Sequence, residues 1–205
     1  MGDIRMQLIK AAEAKGDPAE VWEEAEEAEE RGDRQLAIGL CRALVQVPEE
    51  EVLAKLEVAE MQTAEVDGRA GAMAALESLL SGWPRLDEVR NRLIRLKLVE
   101  GRNGPEDVAA AVEMANVAKE YAPFQVTAAL ARLVSGQPKE ALELLEGNGG
   151  RNLKEAESGD PVVCAAVLAG GGRKEAAEKV RGTMGSRPLT SGEKALLVRW
   201  MPAGS

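Results

Sequence analysis

Short apolar segments at helical spacing recur along the whole chain, separated by glycine or proline, and this recurrence most constrains its fold. The clearest example is residues 124–147, where leucine, valine and alanine lie on both sides of Gly136-Gln137-Pro138. Glycine readily enters the left-handed conformation that closes a helix, and proline fits the first position of the next helix. The stretch therefore predicts two antiparallel helices joined by a tight turn. Because helices this short are unstable alone, each must be buried against neighbours.

The same helix–turn–helix pattern repeats with a period of about 35 residues, which is typical of a stacked helical array. The predicted hairpin-tip glycines, in steps of 32 to 36 residues, are Gly32, Gly68, Gly101 or Gly104, Gly136 and Gly171. Prolines near the ends of the predicted second helices are Pro48, Pro84, Pro123 and Pro188. We expect about five antiparallel helix pairs over residues 19–184, an N-terminal helix within 1–16, and a C-terminal capping helix and tail over 185–205, in a single domain.

The composition favours an all-α fold. Aromatic residues make up 2% of the chain, whereas 45% is hydrophobic and consists mostly of alanine, leucine and valine. This composition suits close packing between helices and disfavours a β-sheet. A coiled coil is disfavoured because no heptad pattern runs past two or three turns. A plain helical bundle fits less well, since glycine or proline interrupts the chain too regularly.

Three short segments resemble the tetratricopeptide repeat family: G-D-R-Q-L-A at 32–37, G-Q-P-K-E-A at 136–141 and G-G-R-K-E-A at 171–176. The small residue that the family has midway along the first helix falls on Ala25, Ala129 and Cys164. The resemblance covers about residues 19–184. It implies a right-handed superhelix whose first helices line a concave groove for a peptide or helix of a partner protein. Met73 stands where the family has alanine, and most units lack its aromatics, so other α-solenoid families remain open.

Candidate binding residues follow from this resemblance and from helical phase. They are the polar residues expected on the inner face of the first helices: Glu26, Glu30, Lys55, Gln62, Asn91 and Arg95. The family's basic clamp for a terminal carboxylate cannot be assembled, because the first unit offers Trp22 and Glu26 instead. A receptor for chaperone tails is therefore disfavoured.

Charge is distributed unevenly along the chain. The net charge of −9 and the scarcity of aromatics disfavour nucleic acid and anionic membranes as partners. Residues 20–31 hold seven acidic residues and one basic residue, whereas 85–102 hold six basic and three acidic residues. This asymmetry suggests weak, salt-sensitive self-association, or attraction to an oppositely charged partner.

Nothing in the sequence points to catalysis, a metal or a cofactor. The chain has no histidine, which removes histidine-based triads, zinc motifs and the usual proton shuttle. Gly170-Gly171-Gly172 lacks the following Lys-Ser/Thr of a phosphate loop, and a helix stop is the simpler interpretation. The isolated Cys41 and Cys164 are expected to be small buried side chains. No signal peptide or membrane span is recognisable, so a cytoplasmic protein is expected.

We therefore predict a non-catalytic protein-interaction module. The first alternative is a structural or regulatory subunit that uses the array for assembly. The second is an all-α enzyme that uses carboxylates, which the missing histidine makes the least favoured.

Overall fold

A computed structural model of the 205-residue chain describes residues 18–33, 36–38, 40, 68–82, 84 and 86–202. These residues form helices and connecting turns with no strand among them, which confirms the predicted all-α class. Backbone contacts divide the chain into two units, residues 1–89 and 90–205, and each is described by itself. The predictions for the N-terminal helix, Cys41, Lys55 and Gln62 lie outside the described residues.

We number the helices of the described residues α1 to α10 in chain order. In the first unit, α1 spans Pro18–Glu30 and α2 spans Arg69–Gly82, while α3, Asp87–Val99, runs from the first unit into the second. The second unit continues with α4 Pro105–Val117, α5 Ala122–Val134, α6 Pro138–Glu146, α7 Arg151–Gly159, α8 Pro161–Gly170, α9 Lys174–Thr183 and α10 Ser191–Trp200, with a 3₁₀ turn at Asn148–Gly150 before α7.

The turn after α1 follows the predicted chemistry. Gly32 has a φ of +79°, and the backbone N–H of Asp33 donates to Ala28 O at 2.8 Å. The Asp33 carboxylate accepts from the N–H of Leu36 at 3.2 Å, at the start of the next helical residues. Ala25 and Ala28 are buried about one turn apart, as expected for the inner stripe of α1.

In the second unit, α5 and α8 form the centre of the core. Every residue of α8 from 162 to 168 is buried, and α8 packs against α5, α6, α7, α9 and α10. A helix that is apolar on all faces must be covered on all sides, so the sequence of α8 dictates its central place. The alanines of both helices leave room for the close approach of their neighbours.

Three hairpin tips in this unit are closed by left-handed glycines. Gly101, Gly136 and Gly172 have φ values of +66°, +78° and +88° and are spaced by 35 and 36 residues. The last tip is Gly172, one residue beyond the predicted Gly171, whose φ is −78°. Gly171 instead allows a close approach, since a Cβ there would lie 2.7 Å from Leu142 Cβ.

The chain departs from a simple succession of pairs at α7. A nine-residue helix, which is not part of the predicted pairs, follows α6. Gly149 and Gly150, with φ values of +64° and +80°, reverse the chain at its start. The new helix packs against α5, α6 and α8, and its Ala156 belongs to the core.

Helix α10 lies against the end of α3. Its N-cap is Thr190, and the Thr190 hydroxyl donates to Glu100 Oε1 at 2.7 Å. At Gly192 an added Cβ would come within 2.5 Å of Val99 O, so the two backbones are in direct contact. These contacts join positions 90 residues apart, whereas repeats in an open stack contact only their neighbours.

Candidate functional site

The predicted residues of α1 are accessible. Glu26 and Glu30 are both exposed and lie about one helical turn apart. Between them, Glu27 forms an exposed ion pair with Arg31 at 3.1 Å. Most of the glutamates of α1 thus form a solvated acidic face, while Ala25 and Ala28 face inward.

The predicted residues of α3 differ in accessibility. Asn91 is 3% exposed, and its amide nitrogen lies 3.5 Å from Pro123 O, so it contacts α5 instead of facing a groove. A side chain this buried cannot contact a partner in this arrangement, which corrects its prediction as a surface contact. Among the residues described, its Oδ1 has no hydrogen-bond partner. Arg95, one turn further, is half-buried and stays a candidate.

A second candidate surface, which the sequence analysis did not find, lies where α4 turns into α5. We call residues 115–125 the α4–α5 corner. Val117 is 83% exposed and Tyr121 is 39% exposed, and Val198 of α10 is the other large apolar side chain exposed in the part of the chain that the structure describes. Two of the three are thus only four positions apart. Tyrosine is enriched in protein interfaces, and Val117 adds an exposed apolar group four positions away.

Hydrogen bonds from Gln125 fix the backbone of the corner. Its side chain is 6% exposed, and its Nε2 donates to Ala115 O at 2.7 Å and to Ala118 O at 3.2 Å. These are carbonyls at the C-terminal end of α4, which have no partner within the helix. Phe124 completes the corner by an edge-to-face contact with Tyr121, whose ring centroid is 4.7 Å away.

Two asparagines attach the same corner to the following turn. Asn148 Nδ2 donates to Lys119 O at 2.7 Å and to Asn152 Oδ1 at 3.1 Å. The buried Asn152 in turn donates from Nδ2 to Leu144 O at 2.7 Å. The corner is therefore held on a network of side-chain amides, so Val117 and Tyr121 are displayed on a backbone with little freedom to move.

The sequence did contain a signal for Val117. Val117 lies only two positions beyond the buried Ala115. Because successive helical residues are about 100° apart, Val117 points away from the buried stripe of Ala111 and Ala115. The exposure of Val117 was therefore predictable from its position off the buried stripe.

The cysteine of the second unit, Cys164, lies in the hydrophobic core. Cys164 is fully buried, and burial, with smaller contributions from Glu157 and Asp160, raises the pKa of its thiol to about 12. A protonated, buried thiol is a poor nucleophile. No group of three or more cysteine, aspartate or glutamate side chains placed to hold a metal ion occurs among the residues described.

No family model, curated protein or solved structure matches the chain. Within the described residues, no helix is both long and apolar enough to cross a membrane.

Proposed function

We propose that the chain is a non-catalytic protein-interaction module that binds a peptide or helical segment of a partner protein. The α4–α5 corner is the contact surface in the second unit. The observation that carries the proposal is the exposure of Val117 and Tyr121 on a backbone that is fixed by Gln125 and Asn148. A rigid surface loses little conformational entropy when it binds, so even a small apolar contact contributes to affinity.

The tetratricopeptide-like pairing belongs to the same proposal. Three hairpins with left-handed glycine tips at 35- and 36-residue spacing support it. Pro105 and Pro138 start the second helices of two of these pairs, as the turn chemistry requires. We propose that the pairs of the second unit stack in a right-handed superhelix with Arg95 on its groove, and that Glu26 and Glu30 are contact residues of the first unit.

The corner is tested by panning a displayed library of linear peptides on the full-length chain. We expect one linear motif with at least one large apolar residue, and a synthetic peptide of that motif should bind Val117→Ser at least tenfold more weakly. The matched control is Val198→Ser, which removes an equally large apolar group that is 70% exposed on α10 and should leave affinity unchanged. Failure to enrich a motif, or equal loss of affinity in both variants, would contradict the proposal.

The candidate groove residues require their own variants. Arg95→Gln and the double change Glu26→Gln with Glu30→Gln remove charge at positions that are wholly or partly accessible. If the selected peptide lies along these residues, its affinity falls in at least one variant and its dependence on salt weakens. Unchanged affinity in both would restrict the contact to the corner.

A second function, assembly by self-association, is favoured by the charges on α1 and α3. Glu23, Glu26, Glu27, Glu29 and Glu30 are exposed on α1, and the cationic side chains at positions 90, 92, 95 and 97 of α3 are half-buried. Sedimentation at low and high salt tests this alternative. A larger species at low salt that dissociates at high salt supports it, and an unchanged monomer at both removes it.

A further inference from the structure

The surface of the second unit under α10 is apolar and is covered by a single helix. Leu196 of α10 is buried in the core, and Leu197, Trp200 and Met201 pack against that core. Trp200 lies directly over Gly170, since an added Cβ at Gly170 would be 3.0 Å from Trp200 Cε3. Without α10, this side of the wholly apolar α8 would face water.

Glu193, in the first turn of α10, makes polar contacts within its own segment. Glu193 is 2% exposed, and its Oε2 accepts from the Thr190 N–H at 2.9 Å. Its Oε1 accepts from Arg187 Nη2 at 3.0 Å. Arg187 and Thr190 both precede the helix by a few residues, so they travel with it. If α10 leaves the core, Arg187 moves with it and the Glu193 carboxylate keeps its ion pair.

Polar contacts join α10 to the rest of the unit at the N-terminal end of the helix. The Thr190–Glu100 hydrogen bond is such a contact, and the remaining docking described above is apolar or backbone contact. The connection to α9 runs through residues 184–190, in which Gly185, Ser186, Arg187 and Pro188 are exposed. Gly185 has a φ of +62° at the start of this loop. The helix is therefore capped by residues of its own segment, and an exposed loop joins it to α9.

We propose that the surface under α10 also accepts α10 of a second copy, so that two chains exchange their C-terminal helices. A ten-residue helix is unstable in isolation and must dock to remain folded. The α10 of a second copy fits this surface because it is identical to the helix that already docks there. Each contact that α10 makes outside the loop can therefore form again between two chains. Such exchange joins two chains without a new interface. This inference does not depend on the α4–α5 corner.

Cross-linking between two full-length variants tests the exchange. Glu100→Cys and Thr190→Cys place thiols at positions whose side chains are in contact, and a short bis-maleimide is added to the mixed chains. We expect a cross-linked heterodimer whose yield rises with protein concentration and falls when excess synthetic peptide of residues 187–202 is present. The control pair is Glu100→Cys with Lys179→Cys, on an exposed position of α9. Equal cross-linking in both pairs would overturn the proposal.

Changing the length of the loop provides a second test that does not touch the docked residues. Deleting Gly185 and Ser186 hinders docking within one chain, so light scattering should show a dimer, which the 187–202 peptide converts to a monomer. Inserting Gly-Ser after Ser186 should leave the chain monomeric. A shortened chain that keeps its helical circular dichroism and stays monomeric would refute the exchange. If the shortened chain unfolds, the cross-linking result decides. Neither result bears on peptide binding at Val117.

Discussion

Substituting Gly192 by alanine tests whether α10 is docked on the end of α3. The glycine lies in the first turn of α10, where an ideal Cβ would be 2.5 Å from Val99 O and 2.7 Å from Glu100 Cα. Both atoms belong to the backbone of the other segment, so no side-chain rotation can relieve the clash. Either α10 or the end of α3 must move, which weakens the Thr190–Glu100 hydrogen bond as well.

The expected cost combines two opposing effects. Adding a methyl group to a packed site costs about 1–3 kcal/mol. Alanine stabilises a helix relative to glycine by up to roughly 1 kcal/mol, and part of that gain offsets the clash. The net loss in the free energy of unfolding is therefore about 1–2 kcal/mol. With a urea m-value of roughly 2 kcal/mol/M, the midpoint falls by about 0.5–1 M.

Urea unfolding followed by circular dichroism at 222 nm measures this change. The matched control is Gly182→Ala, because Gly182 is an exposed helical glycine in α9 with nothing within 4 Å of its added Cβ. That variant should gain about 0.5–1 kcal/mol from helix propensity alone. Hydrogen exchange in α10 should accelerate in Gly192→Ala and not in the control. If both variants are stabilised alike, α10 is not docked on α3 as described.

Two further predictions concern buried groups. Burial raises the pKa of Cys164 from 9.0 to about 12, so between these pH values only the thiol of the unfolded chain ionises. The free energy of unfolding should therefore be unaffected by this thiol below pH 9 and fall by up to about 1.4 kcal/mol per pH unit between pH 9 and 12. Denaturation at several pH values should show that Cys164→Ala removes this part of the fall, and an identical slope in both proteins would contradict the burial. Gln125→Met leaves the carbonyl of Ala115 without its side-chain donor, while Ala118 O keeps only the Tyr121 N–H at 3.0 Å, so we expect a loss of about 1–3 kcal/mol and faster hydrogen exchange at residues 116–121. Exchange unchanged at Val117 would show that the amide does not fix the corner.

The local turn chemistry was predictable from the sequence because each signal lies within a few residues. The turn at Gly136 and Pro138 formed where expected, and Pro105 starts α4. The backbone at such a position is decided by its own side chain, through the left-handed freedom of glycine or the fixed φ of proline. The all-α class followed from these signals together with helical periodicity.

The placement of α10 and the accessibility of Asn91 were not predictable in the same way. In the sequence, Gly192 is only a residue of low helix propensity. No side chain fits there because Val99, more than 90 residues earlier in the chain, lies against it. Asn91 has the polarity of a groove residue, but Pro123 of the next hairpin accepts its amide. Contacts between distant segments decide both cases, and one sequence carries no record of them.

The central place of α8 also determines which apolar surface the second unit leaves exposed. A helix apolar on every face must be covered completely, and here α7 and α10 provide cover in addition to the neighbouring hairpins. The apolar surface that an open stack could offer on that side is thereby already occupied. Exposed apolar groups remain at Val117 and Tyr121, outside this packing. A partner of this unit is therefore expected to contact a small, rigid corner through one or two apolar anchors, unless it first displaces α10.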